Sequence, residues 1–109
     1  MENQALVALR RIPGVTAAYV VSEDGPTRAT AVGAVGEAQG VLLAALAGAL
    51  RQASDDLALG ELSEFLVEAA NGAIMAGALP QGKTAVVIAG AGANLGLVRV
   101  ELRRLRRSA

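Results

Sequence analysis

The fold is decided by the segment Glu61-Leu-Ser-Glu-Phe-Leu-Val-Glu-Ala-Ala-Asn-Gly-Ala-Ile-Met-Ala76. Its first apolar residues repeat with helical spacing, but Asn71-Gly72 is the strongest short signal for a β-hairpin and an apolar run follows it at once. We therefore predict a strand from Leu62 to Ala70, a turn at Asn71-Gly72 and a second strand.

Downstream of this hairpin, the sequence predicts a turn, another strand and a helix. The turn is Pro80-Gln-Gly-Lys83, and Thr84 to Ala89 is a continuous apolar run, typical of a central strand buried on both faces. A Gly-rich corner follows, in which Asn94 can cap the final helix. The apolar stripe of this helix is predicted to consist of Leu97, Val100, Leu102 and Leu105.

Upstream, the pattern indicates a helix, a hairpin and a longer helix. Asn3 can cap the first helix, which Pro13-Gly14 ends. Two segments rich in β-formers, Val15 to Ser22 and Thr27 to Val32, flank a cluster of turn residues. The longest helix is predicted over Glu37 to Ser54.

This longest helix is apolar nearly all round. One stripe consists of Leu42, Leu46 and Ala49, and the next stripe consists of Leu43, Ala47 and Leu50. One stripe can pack on the sheet, and the other then needs a second partner, most economically the same helix of a second copy. The alternative is that the Ala-rich flanks are neutral to solvent and only one face is buried.

Composition points to one small domain, residues 1–109, that associates with itself. Hydrophobic residues make up 53% of the 109-residue chain and aromatic residues 2%, so the core must be built from small side chains. So much apolar surface on so short a chain is hard to bury inside a monomer. We therefore expect a symmetric homodimer.

Charge and reactive residues exclude several functional classes. The formal net charge is zero, which disfavours nucleic acid as a partner. The chain has no Cys and no His, and its acidic residues are scattered, so we predict no catalytic residue, metal site or cofactor. The longest apolar run, Val41 to Leu50, is too short to span a bilayer, and a cytoplasmic location without membrane contact is expected. Acidic Glu64 and its neighbours have no basic residue nearby in sequence, whereas arginines crowd the C-terminal helix.

Two strings resemble nucleotide-binding motifs. Gly77-Ala-Leu-Pro-Gln-Gly-Lys-Thr84 matches the P-loop pattern, but a strand follows it where a P-loop needs a helix N-terminus. Gly90-Ala-Gly-Ala-Asn-Leu-Gly96 resembles a dinucleotide-binding turn, but its last glycine is one residue too far and the chain ends too early. We interpret the second string as a tight corner in which Asn94 caps a helix and Gly96 allows close approach of helix and sheet.

Four segments carry a resemblance to a known family. They are Ile12-Pro-Gly-Val15 followed by Ala18-Tyr-Val-Val-Ser-Glu-Asp-Gly25, the stretch Leu59 to Glu68 with Asn71-Gly72 and Ile74, the run Thr84 to Ala89, and Asn94-Leu-Gly-Leu-Val-Arg99. In this order and spacing they resemble the Roadblock family of small regulatory proteins, which includes the Roadblock light chains of dynein and bacterial gliding-motility regulators. The resemblance covers nearly the whole chain.

The resemblance implies an α+β, profilin-like sandwich. Its five-stranded antiparallel sheet would lie between helices in the order α-β-β-α-β-β-β-α. Third strands of two copies would pair into one continuous sheet, with the long helices side by side. On this sequence the dimer interface would consist of Leu42, Leu46, Leu50, Phe65 and Val67. Family members typically have no catalytic residues of their own.

The first functional hypothesis is a bacterial, non-enzymatic adaptor that homodimerises, binds a small Ras-like GTPase and modulates its nucleotide cycle. Arg51 and Arg28 are candidate partner contacts, including an arginine finger in trans, although an exposed arginine is usually only solvated. The second hypothesis is a structural dimerisation scaffold for a motor or signalling complex, without nucleotide dependence. The third is a nucleotide-binding enzyme that uses Gly77 to Thr84.

Overall fold

Helices and strands follow one another along the chain in the general order that the sequence predicts, and the fold is of the α+β class. The computed structural model describes residues 2–22, 29–33 and 36–108. Within these ranges the helices are α1 (Glu2–Arg10), α2 (Glu37–Asp56) and α3 (Leu95–Ser108), and the strands are β1 (Val15–Ser22), β2 (Ala29–Gly33), β3 (Glu64–Ala69), β4 (Gly72–Ala78) and β5 (Lys83–Gly90).

The described strands form one five-stranded sheet in the order β2-β1-β5-β4-β3. Each neighbouring pair is antiparallel. The central strand is β5, whose residues 84–87 are all buried, so its uninterrupted apolar run reflects burial on both faces. β2 and β3 form the two edges. The predicted turn before β2 lies outside the described residues, as do Thr27 and Arg28 at the start of the predicted second strand.

One face of the sheet is covered by α1 and α3. Leu6 and Leu9 of α1 and Val98 and Leu102 of α3 are buried against it. A register shift between Val15 and Ala17 in β1 places Val15 on the same face as Ala18 and Val20 and opposite to Ala17. The sheet residues buried on this face are Val15, Ala18, Val20, Met75, Ala85 and Val87.

The opposite face is covered by α2, which lies over β1 and β2. Leu43 and Ala47 of α2 are buried against this face, as the two-stripe interpretation of the helix requires. The buried sheet residues beneath are Ala17, Tyr19, Val21, Ala76 and Val86. Phe65, Ile74 and Ile88, toward the β3 side, are only partly buried.

β4 takes part in two hairpins, one with β3 and one with β5, and each has its own kind of turn. β3 and β4 pair up to Ala69 and Gly72, so the turn is Ala70-Asn71 and not the predicted Asn71-Gly72. Gly72 lies in β4, where a Cβ atom would collide with the carbonyl oxygen of Ala89 in β5. In the β4–β5 turn, Gln81 and Gly82 both have left-handed backbones, with φ of 65° and 72°.

Three local predictions for the helices are wrong, two of them entirely and one in part. α1 begins at Glu2, so Asn3 lies inside the helix and is not its cap. Leu102 and Leu105 of the predicted α3 stripe do pack on the core, but Leu97 and Val100 are exposed and Val98 is buried instead, because the predicted stripe mixed two faces of the helix. A Cβ atom on Gly96 would meet the side-chain oxygen of Asn94 at 3.4 Å, so this glycine does not serve an approach of helix and sheet.

Candidate functional site

The outer edge of β3 is the first candidate surface for binding. β4 pairs with one side of β3, and no strand in the described ranges pairs with the other side. Leu66 is 37% exposed and Val67 is 42% exposed. An unpaired edge with exposed apolar side chains is a template for pairing with a strand of another chain.

A second apolar surface continues from this edge onto α2. Phe65 packs partly against the core beneath α2, and Val67, two residues along β3, lies on the same side of the sheet. On α2 itself Leu42 is 69% exposed, and Leu46 and Leu50 are half-buried. All five residues predicted for a dimer interface therefore keep apolar area accessible, and they belong to the two elements that border the partly covered end of the sheet.

Glu64 holds the start of β3 to α3. Its carboxylate accepts hydrogen bonds from Nε of Arg103 at 3.3 Å and from Nη2 of Arg103 at 2.9 Å. Nε of Arg99 lies 3.4 Å from the same carboxylate. The hydrogen bond from Arg103 lowers the pKa of Glu64 below its usual value, with further help from the charge of Arg99. These arginines lie far along the sequence, so the sequence pattern shows no basic neighbour for Glu64.

Arg51 ties α2 to the β4–β5 turn. Its Nη2 atom donates to the carbonyl oxygen of Gly82 at 3.3 Å and to the hydroxyl oxygen of Thr84, which is buried. The same guanidinium borders an open recess of about 420 Å³, together with Asp55, Glu61 and the turn. Arg51 is therefore engaged within its own chain. The other candidate arginine, Arg28, lies outside the described residues.

The two motif-like strings form a hairpin and a corner. The string Gly77 to Thr84 runs from the end of β4 through the turn into β5, so it has no helix N-terminus that could bind a phosphate. In the corner, the side-chain oxygen of Asn94 accepts from the N–H of Leu97 at 3.1 Å, which confirms the predicted cap of α3. The N–H of Gly90 donates to the carbonyl oxygen of Gly14 at 2.8 Å, which joins the corner to the turn between α1 and β1.

The described part of the chain contains no group of three or more His, Cys, Asp or Glu residues that could hold a metal ion. Its helices are each too short or too polar to cross a membrane.

A sequence model of the Roadblock/LC7 domain matches residues 1–89. The chain belongs to the Roadblock/LC7 family. No curated protein sequence matches it significantly. The resemblance that the sequence motifs indicate is thereby confirmed for most of the chain.

Solved structures of other Roadblock/LC7 proteins share this fold. A Roadblock/LC7 domain from Streptomyces avermitilis is 21% identical, with a TM-score of 0.83, over 96% of this chain and 91% of that one. MglB of Myxococcus xanthus is 16% identical, with a TM-score of 0.84, over 96% of this chain and 88% of that one. A second Streptomyces avermitilis Roadblock/LC7 structure is 26% identical, with a TM-score of 0.68, over 100% and 98% of the two chains.

The family match ends at Ala89, within β5, so the corner and α3 of this Roadblock/LC7 domain lie beyond it. The solved structures nevertheless cover 96% of the chain, so α3 belongs to the shared fold. Both candidate surfaces, the β3 edge and the outer side of α2, lie within the matched residues.

Proposed function

We propose that this Roadblock/LC7 domain is a non-enzymatic adaptor that homodimerises and binds a small Ras-like GTPase, modulating its nucleotide cycle. The observation that carries the proposal is the accessible apolar surface formed by α2 and the unpaired edge of β3. Regulators of this kind act by ordering the switch segments of a GTPase, which requires a binding surface and no catalytic group of their own.

Dimerisation is the first step of the proposal. Antiparallel pairing of two β3 edges would satisfy the unpaired backbone groups and extend the sheet across both copies. It would also bring two α2 helices together and bury Leu42, Leu46 and Leu50. Burying one leucine side chain contributes roughly 1.5–3 kcal/mol, so several such residues from each copy can exceed the entropy cost of association.

The dimer is tested by Val67→Arg, which places a charge at the proposed interface. At high salt, which screens contacts between charged surfaces, we expect this variant to sediment as a folded monomer at protein concentrations where the wild type is a dimer. Val100→Arg is the matched control, because Val100 is 49% exposed against 42% for Val67 but lies on α3, beyond the proposed interface. Loss of the dimer in both variants, or in neither, would contradict the proposed interface.

The GTPase partner rests on the family resemblance and on the absence of a plausible catalytic group in the sequence. Arg51 remains a predicted partner contact, and its hydrogen bonds to Gly82 and Thr84 give it a positioning role for the β4–β5 turn. To act as an arginine finger on a GTPase, Arg51 would have to break its hydrogen bonds to Gly82 and Thr84. A location in the cytoplasm follows from the proposed partner and is part of the proposal.

Affinity capture from a lysate of the source organism tests the partner. The purified domain is the bait, in parallel reactions with a non-hydrolysable GTP analogue and with GDP, and Val67→Arg is the control bait. We expect a small GTPase that is enriched in one nucleotide state by the wild-type bait only. Capture of a complex without dependence on the nucleotide would favour the structural scaffold, the alternative function.

Nucleotide binding by the chain itself is a separate and weaker hypothesis. It requires Gly82 and Lys83 to bind ATP or GTP, although a strand follows them. We expect no heat of binding for either nucleotide in calorimetry, and the same result for Lys83→Ala. Saturable binding that Lys83→Ala abolishes would revive this hypothesis.

A further inference from the structure

The connection between α2 and β3 presents two highly exposed leucines in an acidic setting. Leu57 is 68% exposed and Leu59 is 72% exposed. Asp55 and Asp56 precede them in the last turn of α2, and Glu61 follows them. We call residues 55–61 the acidic knob. Side chains of this kind are normally covered when they are held together at one place on a surface.

The acidic knob is rigidly built. The N–H groups of Leu57, Ala58 and Leu59 donate to carbonyl oxygens of α2 at 2.9–3.0 Å. The hydroxyl of Ser54, which is buried, donates to the carbonyl oxygen of Gly60 at 2.6 Å. Ala58 has a φ of 58°, a left-handed conformation that non-glycine residues adopt at a cost. The backbone therefore holds both leucines outward before any partner arrives.

The outer side of α3 has the opposite charge around a similar apolar centre. Val100 is 49% exposed and Leu97 is 40% exposed. A shallow groove on this side is lined by Val100, Arg103, Arg106 and Arg107, and we call these residues with Leu97 the basic face. Arg103 is paired with Glu64, whereas Arg106 and Arg107 form no ion pair within the described residues.

Like Arg106 and Arg107, the acidic residues of the knob are available to pair with charges of another molecule. In the described part of the chain, Asp55, Asp56 and Glu61 take part in no ion pair, and Asp56 accepts only a hydrogen bond from Gln52. One chain of zero formal net charge thus carries an acidic apolar projection and a basic apolar groove. Each has the charge and the apolar centre that the other would need in a partner.

We propose that the acidic knob of one copy docks on the basic face of another copy. Leu57 and Leu59 would cover Val100 and Leu97, and the carboxylates of the knob would meet the guanidinium groups of Arg106 and Arg107. The two surfaces differ, so the contact is heterologous and links copies into rings or filaments. It is separate from the two-fold pairing of β3 edges, and it would join the proposed dimers into larger assemblies.

A charge-swap experiment tests the proposal by sedimentation velocity over a wide range of protein concentration. One variant carries Asp55→Arg and Asp56→Arg, and the other carries Arg106→Glu and Arg107→Glu. We expect the wild type to form species larger than a dimer that dissociate at high salt. Each variant alone should associate about tenfold more weakly or worse, and an equimolar mixture of the two should form the large species again.

Two further samples are controls for this experiment. Arg11→Glu reverses an exposed arginine far from the basic face in sequence and should leave the assembly unchanged. Adding Leu57→Ser and Leu59→Ser to both variants should abolish rescue in the mixture, because general attraction between oppositely charged proteins would remain while the apolar contact would not.

The proposal is overturned if the wild type forms nothing larger than a dimer, if the single variants assemble like the wild type, or if the serine substitutions leave the rescue intact. Capture of an acidic protein by the basic face in place of a second copy would also overturn it. These outcomes are independent of the proposed dimer, since Val67→Arg blocks β3 pairing and leaves the knob and the basic face unaltered.

Discussion

The two faces of the sheet are closed to different degrees. On one face α1 and α3 together bury Leu6, Leu9, Val98 and Leu102. On the other face α2 covers β1 and β2, and Phe65 remains only partly buried near the β3 edge. Two helices complete the first face within one copy, whereas a single helix leaves the second face open. The first face therefore serves mainly stability, and the second combines stability with the surface proposed for association.

Removing a buried leucine from the closed face should give the largest effect. Leu6 is fully buried, and Leu6→Ala is expected to lower the free energy of unfolding by about 2–5 kcal/mol through lost burial and a cavity. Urea denaturation measures this loss. Leu42→Ala is the matched control on the open face, and it should affect stability only where the protein is concentrated enough to form the proposed dimer. If both variants lost the same free energy of unfolding at high dilution, the proposed difference between the two faces would be wrong.

A glycine in β4 tests the strand pairing that both faces share. Gly72→Ala would force a Cβ atom against the backbone of Ala89, and we expect a loss of about 1–3 kcal/mol in the free energy of unfolding. Gly48→Ala is the control, because nothing lies within 4 Å of a Cβ atom there and the residue lies inside α2. This control should stabilise the protein by about 0.5–1 kcal/mol. Thermal unfolding should give a lower melting temperature than the wild type for Gly72→Ala and a higher one for Gly48→Ala.

The cap of α3 gives a smaller effect on the closed face. Asn94→Ala removes the acceptor for the N–H of Leu97 and should cost about 1 kcal/mol. The comparison variant is Asn71→Ala in the exposed β3–β4 turn, for which we expect a change within about 0.5 kcal/mol. Chemical denaturation of the two proteins side by side measures the difference. A loss confined to the turn variant would mean that the cap is unimportant.

The ion pair between β3 and α3 should produce the smallest effect, visible as a pH dependence. The pKa of Glu64 in the folded protein lies below the value of 4.5 expected without partners, chiefly because of Arg103. Its contribution to stability is therefore complete above that value and is lost as the pH falls through the lower folded pKa. Glu64→Gln should flatten this part of the curve of stability against pH. If the stability of Glu64→Gln depended on pH as steeply as that of the wild type, other carboxylates would be responsible for the slope.

Much of the fold was predictable because its signals are local. The bounds predicted for β1 agree with the structure, and those for α2, β3 and β5 differ by one or two residues. The cap at Asn94 was predictable from its position before a helical pattern. The stripe of α3 was predictable only in part, because Leu97 and Val100 are as apolar as the buried Val98, and only packing distinguishes the faces.

The candidate surfaces were partly predictable in the same way. The two-sided apolar pattern of α2 indicated a helix with more than one partner, and Leu43 and Ala47 do face the sheet. The pairing of Glu64 with Arg103, and the bonds from Arg51 to the β4–β5 turn, join residues that are 39 and more than 30 positions apart. Neither interaction could be predicted from the sequence, because local sequence patterns do not show which distant residues meet.

By itself, the sequence determined the elements of this Roadblock/LC7 domain and their order, because hydrophobic periodicity, turn residues and helix caps act over a few neighbouring positions. The tertiary structure decided which apolar residues stay exposed, since this depends on where three helices lie on one sheet. It also decided why Gly72 is a glycine and how Glu64 is paired. These properties arise from close approach between distant segments, and only the folded chain brings those segments together.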